Sequence, residues 1–174
     1  QLNSKDLKRE LYAVGLPRRL TAEELRDAML AVSGELNRQV GGIPSRPDIN
    51  REVAFQPRQI MGGTASVYEP DPLPRQRNRR SLYAEKMRGL RDPFLETFNQ
   101  PGPDQSCELR ETSMVAPQAL TLFNGEEVYE RALAFAARLL EETGSDRAAL
   151  GRAFELALGR TASVGEIADC LVHW

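Results

Sequence analysis

The sequence has few of the residues on which metal, haem and nucleophilic chemistry depend. It contains one histidine, His173, and two cysteines, Cys107 and Cys170, which lie far apart in the chain. A mechanism that needs two imidazoles within this chain is therefore excluded, and no Cys-x-x-Cys pair is present for a zinc knuckle or a haem c attachment site. We predict no metal site and no cofactor within this chain. We expect two separate thiols, with Cys170 buried on a helix; a disulfide in an oxidising compartment is the alternative.

The sequence also lacks a basic excess and a long apolar run. Its 23 lysines and arginines face 25 aspartates and glutamates, which gives a formal net charge of −2. Proteins that bind nucleic acid or anionic membranes usually carry a basic excess, so we expect no nucleic-acid partner. No run of about 18 apolar residues is present, which predicts no transmembrane segment. The G-x-S-x-G, H-E-x-x-H and Walker motifs are absent as well.

Helical periodicity dominates both ends of the chain and predicts a mainly α fold. Near the N-terminus the spacing of Leu7, Leu11 and Val14 suits one amphipathic helix. Thr21 and Glu24 form a capping box at the start of a second helix, which we expect to end at Gly41 and Gly42, with Arg26 away from its apolar face. The predicted apolar face of this second helix consists of Leu25, Ala28, Met29, Val32 and Leu36.

The middle of the chain is rich in proline, glycine and isolated apolar residues. Residues 53–55 and 65–68 could form short strands, with a turn at Gly62 and Gly63, and residues 81–83 show strand-like alternation. Residues 61–64 are either part of a wrapping connection or a place where bare backbone approaches a ligand. A helical turn is expected around Phe94, whose neighbours Leu95 and Phe98 share its apolar face.

The last third of the chain predicts a helical bundle. Thr112 or Ser113 is expected to cap a buried apolar helix that contains Pro117 in its first turn and Leu120 and Phe123 in its body. Further helices are expected to begin at Asn124, Ser145 and Ser163, the last with a capping box to Glu166. The predicted architecture is thus a helical bundle with a long irregular central region and a few short strands. We interpret residues 1–174 as a single domain or a fragment of a larger protein, with N-terminal helices over 1–42, the irregular region over 43–114 and the C-terminal bundle over 115–174.

The candidate site is a cluster of four arginines within residues 75–80. Guanidinium groups suit carboxylates and phosphates because their donors form a rigid planar fork. The arginines could pair with acidic residues of this chain, with a neighbouring domain, or with an anionic ligand or glycan. If a site exists, Arg79, Arg80 and Tyr83 are expected to face Cys107, Arg110 and Gln118. An alternative is a pair of catalytic carboxylates for polymer hydrolysis, drawn from Asp71, Asp92, Asp104, Glu108 and Glu111.

Several short segments, in one order over most of the chain, carry a resemblance to a known family. They are residues 18–20, 23–27, 31–34, 41–42, 79–83, 94–98, Cys107, Arg110, Thr112, 117–120, Asn124, 153–154, 158–160 and Glu166. With them the sequence resembles the C-terminal domain of unknown function of large exported planctomycete proteins, where it follows a cytochrome-c-like region and another uncharacterised domain. The resemblance implies a longer parent protein, a periplasmic or cell-surface location, and haem c elsewhere in that parent. It implies other domains or chains of the parent assembly as partners.

Three functional hypotheses follow, and whether the chain is an enzyme is left open. The first is a non-catalytic binding or scaffold module of an exported multidomain, cytochrome-c-associated protein. The second is part of an extracellular or periplasmic enzyme that acts on a polysaccharide or another polymer. The third is a docking module for electron transfer, in which residues 75–80 form the docking face.

Overall fold

The computed structural model describes residues 18–54, 58–60, 63–65, 68–104 and 106–173. This part of the chain is mainly helical, which confirms the predicted fold class; the helix predicted over Leu7 to Val14 lies outside it. The elements in chain order are α1 Ala22–Ser33, α2 Arg51–Ala54, β1 Arg58–Ile60, β2 Gly63–Ala65, α3 Pro74–Arg77, a 3-10 turn Ser81–Tyr83, α4 Pro93–Thr97, α5 Ala116–Asn124, α6 Glu126–Glu142, α7 Asp146–Leu158 and α8 Val164–His173.

Helix α1 is the element around which the others are arranged. It contacts the 3-10 turn, α4 and α6, while α5, α6, α7 and α8 follow one another as contacting neighbours. A core cluster of Ala22, Phe94 and Leu95 joins α1 to α4, and Phe98 packs against it. The prediction of a helical turn around Phe94 with an inward apolar face is therefore confirmed. The division of the chain at residues 42 and 114 stays a prediction.

The start of α1 is confirmed and its predicted end is wrong. The amide of Glu24 donates to Thr21 Oγ1 at 3.3 Å, and the amide of Thr21 donates to Glu24 Oε2 at 2.9 Å, which completes the capping box. The helix ends at Ser33 because Gly34 adopts φ 84° and caps the last turn in the left-handed conformation. Leu36 and Gly41 consequently lie beyond the helix.

The buried face of α1 also differs from the predicted apolar face. Leu25 and Met29 are only half-buried, although they pack against the core cluster. Burial of polar side chains requires hydrogen-bond partners, and loops distant in sequence supply them to Arg26. The placement of Arg26 away from the interior was therefore wrong. The buried residues of α1 are Ala22, Arg26, Leu30 and Ser33.

The central region contains short helical turns where two strands were predicted. Residues 51–54 form α2, because the amides of Val53 and Ala54 both donate to the carbonyl of Asn50. Residues 81–83 form a 3-10 turn, since Ser81 donates from both its amide and its hydroxyl to Asp27 Oδ1 at 2.7 Å. The strand predictions for these two segments are wrong.

A hairpin is nevertheless present in this region. Strands β1 and β2 pair antiparallel, with Arg58 opposite Ala65 and Ile60 opposite Gly63. The hairpin overlaps the predicted strand of residues 65–68 only at Ala65; Ser66 and Val67 lie outside the described residues, and Tyr68 is not in a strand. The predicted ligand approach over residues 61–64 rests partly on Met61 and Gly62, which lie outside the described residues.

Most helix boundaries in the last third are confirmed. Ser145 caps α7 by accepting the amide of Ala148, and Gly159 ends that helix with φ 65°. Ser163 and Glu166 form the predicted capping box, with amide-to-side-chain distances of 2.8 and 3.3 Å. The predicted cap of α5 is wrong, because its N-cap position is occupied by Val115 without a side-chain hydrogen bond.

The predicted burial of α5 is wrong as well. Its interior residue is Gln118, which is 3% exposed, whereas Phe123 is 87% and Leu120 is 61% exposed. The helix is held by the amide of Gln118 and not by its apolar side chains, as shown below. Cys107 and Cys170 are free thiols, as predicted, and Cys170 is half-buried rather than buried. Among the described residues, no helix is both long and apolar enough to cross a membrane.

Candidate functional site

Arg26 on α1 holds the predicted arginine cluster in place. Its side chain is 5% exposed, and its Nη1 donates to the carbonyl of Arg79 at 3.0 Å and to Ser81 Oγ at 3.2 Å. Its Nη2 donates to the carbonyl of Arg77 at 3.0 Å. One guanidinium therefore satisfies three acceptors of the segment that was expected to bind a ligand.

Arg79 is buried and braces a second loop. Its Nη1 donates to the carbonyl of Ile43 at 2.6 Å, and its Nη2 donates to the carbonyls of Gln39 and Gly41. Its guanidinium carbon lies 4.4 Å from the centroid of the Tyr83 ring, in cation–π contact. The structure thus brings Arg79 and Tyr83 together, with the guanidinium turned to carbonyls of its own chain.

Arg80 and Arg110 are exposed and pair with acidic residues of α1. Arg80 Nε lies 3.6 Å from Asp27 Oδ2, and Arg110 donates to both oxygens of Glu23 at 2.6 and 3.1 Å. Burial raises the pKa of Glu23, but the hydrogen bonds from Arg110 and Gln100 outweigh that effect and lower it below its usual value. Because Glu23 and Asp27 are four residues apart on one helix, Arg80 and Arg110 lie along the same side of α1.

Gln118 and Cys107 lie in different surroundings. Gln118 Nε2 donates to the carbonyl of Thr97 at 3.0 Å, and its Oε1 accepts from Arg19 at 2.7 Å, which anchors α5 to α4. Gln118 and Arg110 both line a small cavity of about 50 Å³. Cys107 is exposed and its Sγ donates to the carbonyl of Leu109 at 3.2 Å. The six predicted residues therefore do not form one site: Arg79 contacts Tyr83, while Arg110 lines one cavity with Gln118 and another with Cys107.

Arginine-to-alanine variants should separate the bracing arginine from an exposed one. Arg79→Ala is expected to lower the free energy of unfolding by about 1–2 kcal/mol, because three loop carbonyls lose a charged donor and regain only water. Arg80→Ala should change it by less than about 0.5 kcal/mol, since its ion pair with Asp27 is exposed to solvent. Urea denaturation of the two variants measures both values. Equal losses would show that Arg79 does not brace the loop.

A cleft of about 560 Å³ lies where α1, α4 and α6 meet residues 48–50. Glu127 opens into it: its side chain is 30% exposed, and one oxygen lies 3.7 Å from Nε of Arg26. Asp92, also in the wall, caps α4 by accepting the amide of Phe94 at 2.9 Å. Further ionisable residues of the wall are Asp48, Glu126, Glu130 and Arg131.

Asp92 and Glu127, both half-buried in this cleft, have raised pKa values. Burial raises the pKa of Asp92, although the amides of Phe94 and Leu95 oppose the effect. Burial also raises the pKa of Glu127, to about 7, with a further contribution from the negative charge of Asp92. A carboxyl group with a pKa near neutrality can accept and release a proton near neutral pH.

Sequence reasoning included Asp92 among its carboxylate candidates and missed Glu127 and Arg26. Glu127 follows Glu126 in the first turn of α6, where both fit the helix dipole equally well. Only the fold turns Glu127 toward Arg26. In the described part of the chain, no group of three or more His, Cys, Asp or Glu residues is arranged to hold a metal ion.

Besides the arginine cluster and the cleft, the structure has an apolar surface on α5 and α6. Helix α6 turns Arg131 and Arg138 toward α1, where they donate to Glu35 at 2.6 Å and to the carbonyl of Val32 at 2.8 Å. Away from α1 it exposes three large apolar side chains, and the two most exposed of the three on α5, Leu120 at 61% and Phe123 at 87%, are grouped with them. We call these residues the apolar surface; they are Leu120, Phe123, Tyr129, Leu133 and Leu140.

The fold and these sites define a mainly helical domain. In it, arginines of α1, α6 and the central region donate hydrogen bonds to backbone carbonyls of loops and helix ends. A family model described as a protein of unknown function (DUF1553) matches residues 1–174, and the chain belongs to that family. No curated protein and no solved structure matches the chain. The predicted resemblance to a domain of unknown function is thus confirmed, while planctomycete origin, export and association with a cytochrome stay predictions.

Proposed function

We propose that this chain is a non-catalytic binding or scaffold module of an exported multidomain, cytochrome-c-associated protein. The observation that carries the proposal is the orientation of α5. Gln118 faces inward at 3% exposure, while Phe123 on the same helix is 87% exposed. Because α5 buries a glutamine and exposes a phenylalanine, its apolar side is suited to pack against another protein segment.

The energetics of exposure support a binding role. Leaving a large apolar side chain in water forgoes about 1.5–3 kcal/mol relative to burying it. Single exposed apolar residues are common on soluble proteins, but a set of them on neighbouring elements is typical of an interaction site. Leu120 and Phe123 lie on α5, and Tyr129, Leu133 and Leu140 lie on α6, and these two helices contact each other.

The proposed partners are other domains or chains of the parent assembly, including one that carries haem c. The resemblance to exported proteins supports this proposal, and the module is proposed to lie in the periplasm or at the cell surface. An interface between domains of one parent needs no buried charge at its centre, and the apolar surface consists of uncharged side chains.

Phe123→Ser should weaken binding to the remaining domains of the parent protein, expressed as a separate chain, by about thirtyfold or more. Removing a central aromatic side chain typically weakens a complex by about 2 kcal/mol or more, which is roughly thirtyfold in Kd. Isothermal titration calorimetry measures the change. Leu109→Ser is the matched control, because Leu109 is 85% exposed but lies in a loop outside the apolar surface. Absence of binding by the unsubstituted chain, or equal loss in both variants, would contradict the proposal.

A second candidate function, part of an extracellular or periplasmic enzyme acting on a polysaccharide or other polymer, is favoured by the cleft. Glycoside hydrolysis uses two carboxyl groups, one of them with a raised pKa, and Asp92 and Glu127 line the same wall. Because Asp92 also caps α4, Glu127 is the proposed proton donor and Asp92 the proposed second carboxylate. Cleavage of a polymer that disappears in Glu127→Gln with folding unchanged would favour this second function over the first.

The hypothesis of a docking module for electron transfer stays a prediction. Its proposed face was residues 75–80. Of that face, Arg79 donates to the loop of residues 39–43, and Arg77 donates to the carbonyl of Asp71 at 2.9 Å. Arg75 and Arg80 are the members of the cluster that are exposed.

A further inference from the structure

The exposed side of α6 combines an apolar stripe with a row of acidic residues. Tyr129, Leu133 and Leu140 fall within a narrow arc of the helix, because each residue advances the helix by about 100°. Beside this stripe, along one edge, run three exposed glutamates. They are Glu126, Glu130 and Glu141.

The two arginines of α6 pack mainly against the end of α1, although Arg131 Nη2 also donates to Glu130 Oε2 at 3.2 Å. Arg131 Nη1 donates to Glu35 at 2.6 Å, and Arg138 Nη1 donates to the carbonyls of Ala31 and Val32 at the end of α1. Both arginines therefore lie on the side of α6 that packs against α1. The exposed face is left with the apolar stripe and the three glutamates, of which Glu130 is ion-paired with Arg131 while Glu126 and Glu141 lie near the two ends of the helix.

We infer that the partner segment on this face is an amphipathic helix with an apolar seam and a row of lysine or arginine residues along one edge. The inference rests on the proposed function and adds the chemistry of the partner. A straight stripe of about 17 Å, from Tyr129 to Leu140, suits another helix, whose side chains recur at the same spacing. The acidic row of α6 would then face the basic row of the partner, and this complementarity would fix its orientation.

A second copy of the chain fits this face less well. The same face of another molecule offers the three glutamates again and no basic residue. Antiparallel pairing of two α6 helices would bring the two acidic rows against each other, and like charges at such positions destabilise the pairing. The complementary charge has to come from a different segment.

The test uses the full 174-residue chain and two synthetic helical peptides of about 18 residues, long enough to cover α6. The peptides share one leucine seam and differ only in the charged row, which is lysine in one and glutamate in the other. Fluorescence anisotropy measures their binding. The lysine peptide is expected to bind about tenfold more tightly than the glutamate peptide, and added salt should narrow that difference.

Variants locate the binding on α6. Leu133→Asp should weaken the lysine peptide about tenfold or more, because it places a charge in the seam. Leu158→Asp is the control: Leu158 is 58% exposed, close to the 53% of Leu133, but it lies on α7. The double variant Glu130→Lys and Glu141→Lys should reverse the preference between the two peptides.

Each of the following outcomes would contradict the inference and would show which part of the proposal still stands. Equal binding of both peptides, sensitive to Leu133→Asp, would leave the apolar surface as a docking site without a basic partner. A dimer in sedimentation that Leu133→Asp dissociates would make a second copy the occupant. If neither peptide binds while the remaining parent domains bind through Phe123, the inference fails and the proposed function stands. If those domains also fail to bind, both the inference and the proposed function are contradicted.

Discussion

Arg26→Met is expected to lower the free energy of unfolding by about 3–5 kcal/mol, the typical cost of removing one member of a buried charged network. The guanidinium of Arg26 donates to the carbonyls of Arg77 and Arg79 and to Ser81 Oγ, and it lies 3.7 Å from Glu127. Methionine matches much of the stem but supplies no donor. The two carbonyls, the hydroxyl and the carboxylate of Glu127 would then lack their charged partner in a buried place.

The comparison variant is Arg18→Met. Arg18 also makes a two-point contact with a carboxylate, at 2.7 and 2.5 Å from Glu24, but its side chain is 63% exposed. Its loss should change stability by no more than about 1 kcal/mol, as for other exposed ion pairs. Urea denaturation with a common m-value measures both variants. If Arg26→Met were as mild as Arg18→Met, the segment of residues 77–81 would not depend on α1.

The features that the sequence predicted correctly depend on neighbours in the chain. The capping box of Thr21 and Glu24, the box of Ser163 and Glu166, and the stop at Gly159 each involve residues within a few positions of one another. Their side chains satisfy amides that every helix leaves without partners, so the same residue types recur at helix starts. Capping interactions of this kind can be recognised from a single amino-acid sequence.

The features that were missed depend on contacts between distant segments. Arg26 lies on α1 but is buried because residues 77–81 supply its acceptors, and Ser81 forms a turn because Asp27 accepts its amide. Gln118 is inward because Thr97 and Arg19 meet its amide group. Apolar periodicity assigns the inward side to leucine and phenylalanine, and it has no signal for a polar residue with partners elsewhere.

The candidate sites show the same division between features that depend on neighbouring residues and features that depend on distant segments. Exposed arginines that pair with acidic residues of the chain were among the predicted alternatives, and Arg80 and Arg110 are found in such pairs. The distinction between Arg79, which is buried, and Arg80, which is exposed, depends on the loop that folds over one of them. Glu127 could not be singled out, because its raised pKa results from burial beside α1 and α4.

Glu127→Gln is expected to stabilise the protein at alkaline pH and to have little effect under acidic conditions. The pKa of Glu127 is raised in the folded state from 4.5 to about 7. The folded state therefore binds a proton more tightly than the unfolded state, and this contribution to stability is full below about pH 4.5 and is lost as the pH rises through 7. Between about pH 5 and pH 8 the natural chain should lose about 2–3 kcal/mol relative to Glu127→Gln.

The control for this pH dependence is Glu166→Gln. Hydrogen bonds from Arg160 and from the amide of Ser163 lower the pKa of Glu166 to about 2, so this carboxylate stays ionised in the folded state over the same range. Its replacement should shift the free energy of unfolding by a nearly constant amount between about pH 5 and pH 8. Urea unfolding at several pH values measures both variants, and a carbon-13 titration of the Glu127 carboxyl reports its pKa directly. A parallel pH profile for Glu127→Gln and the natural chain would mean that Glu127 is hydrated, and the cleft would then lose its candidate acid.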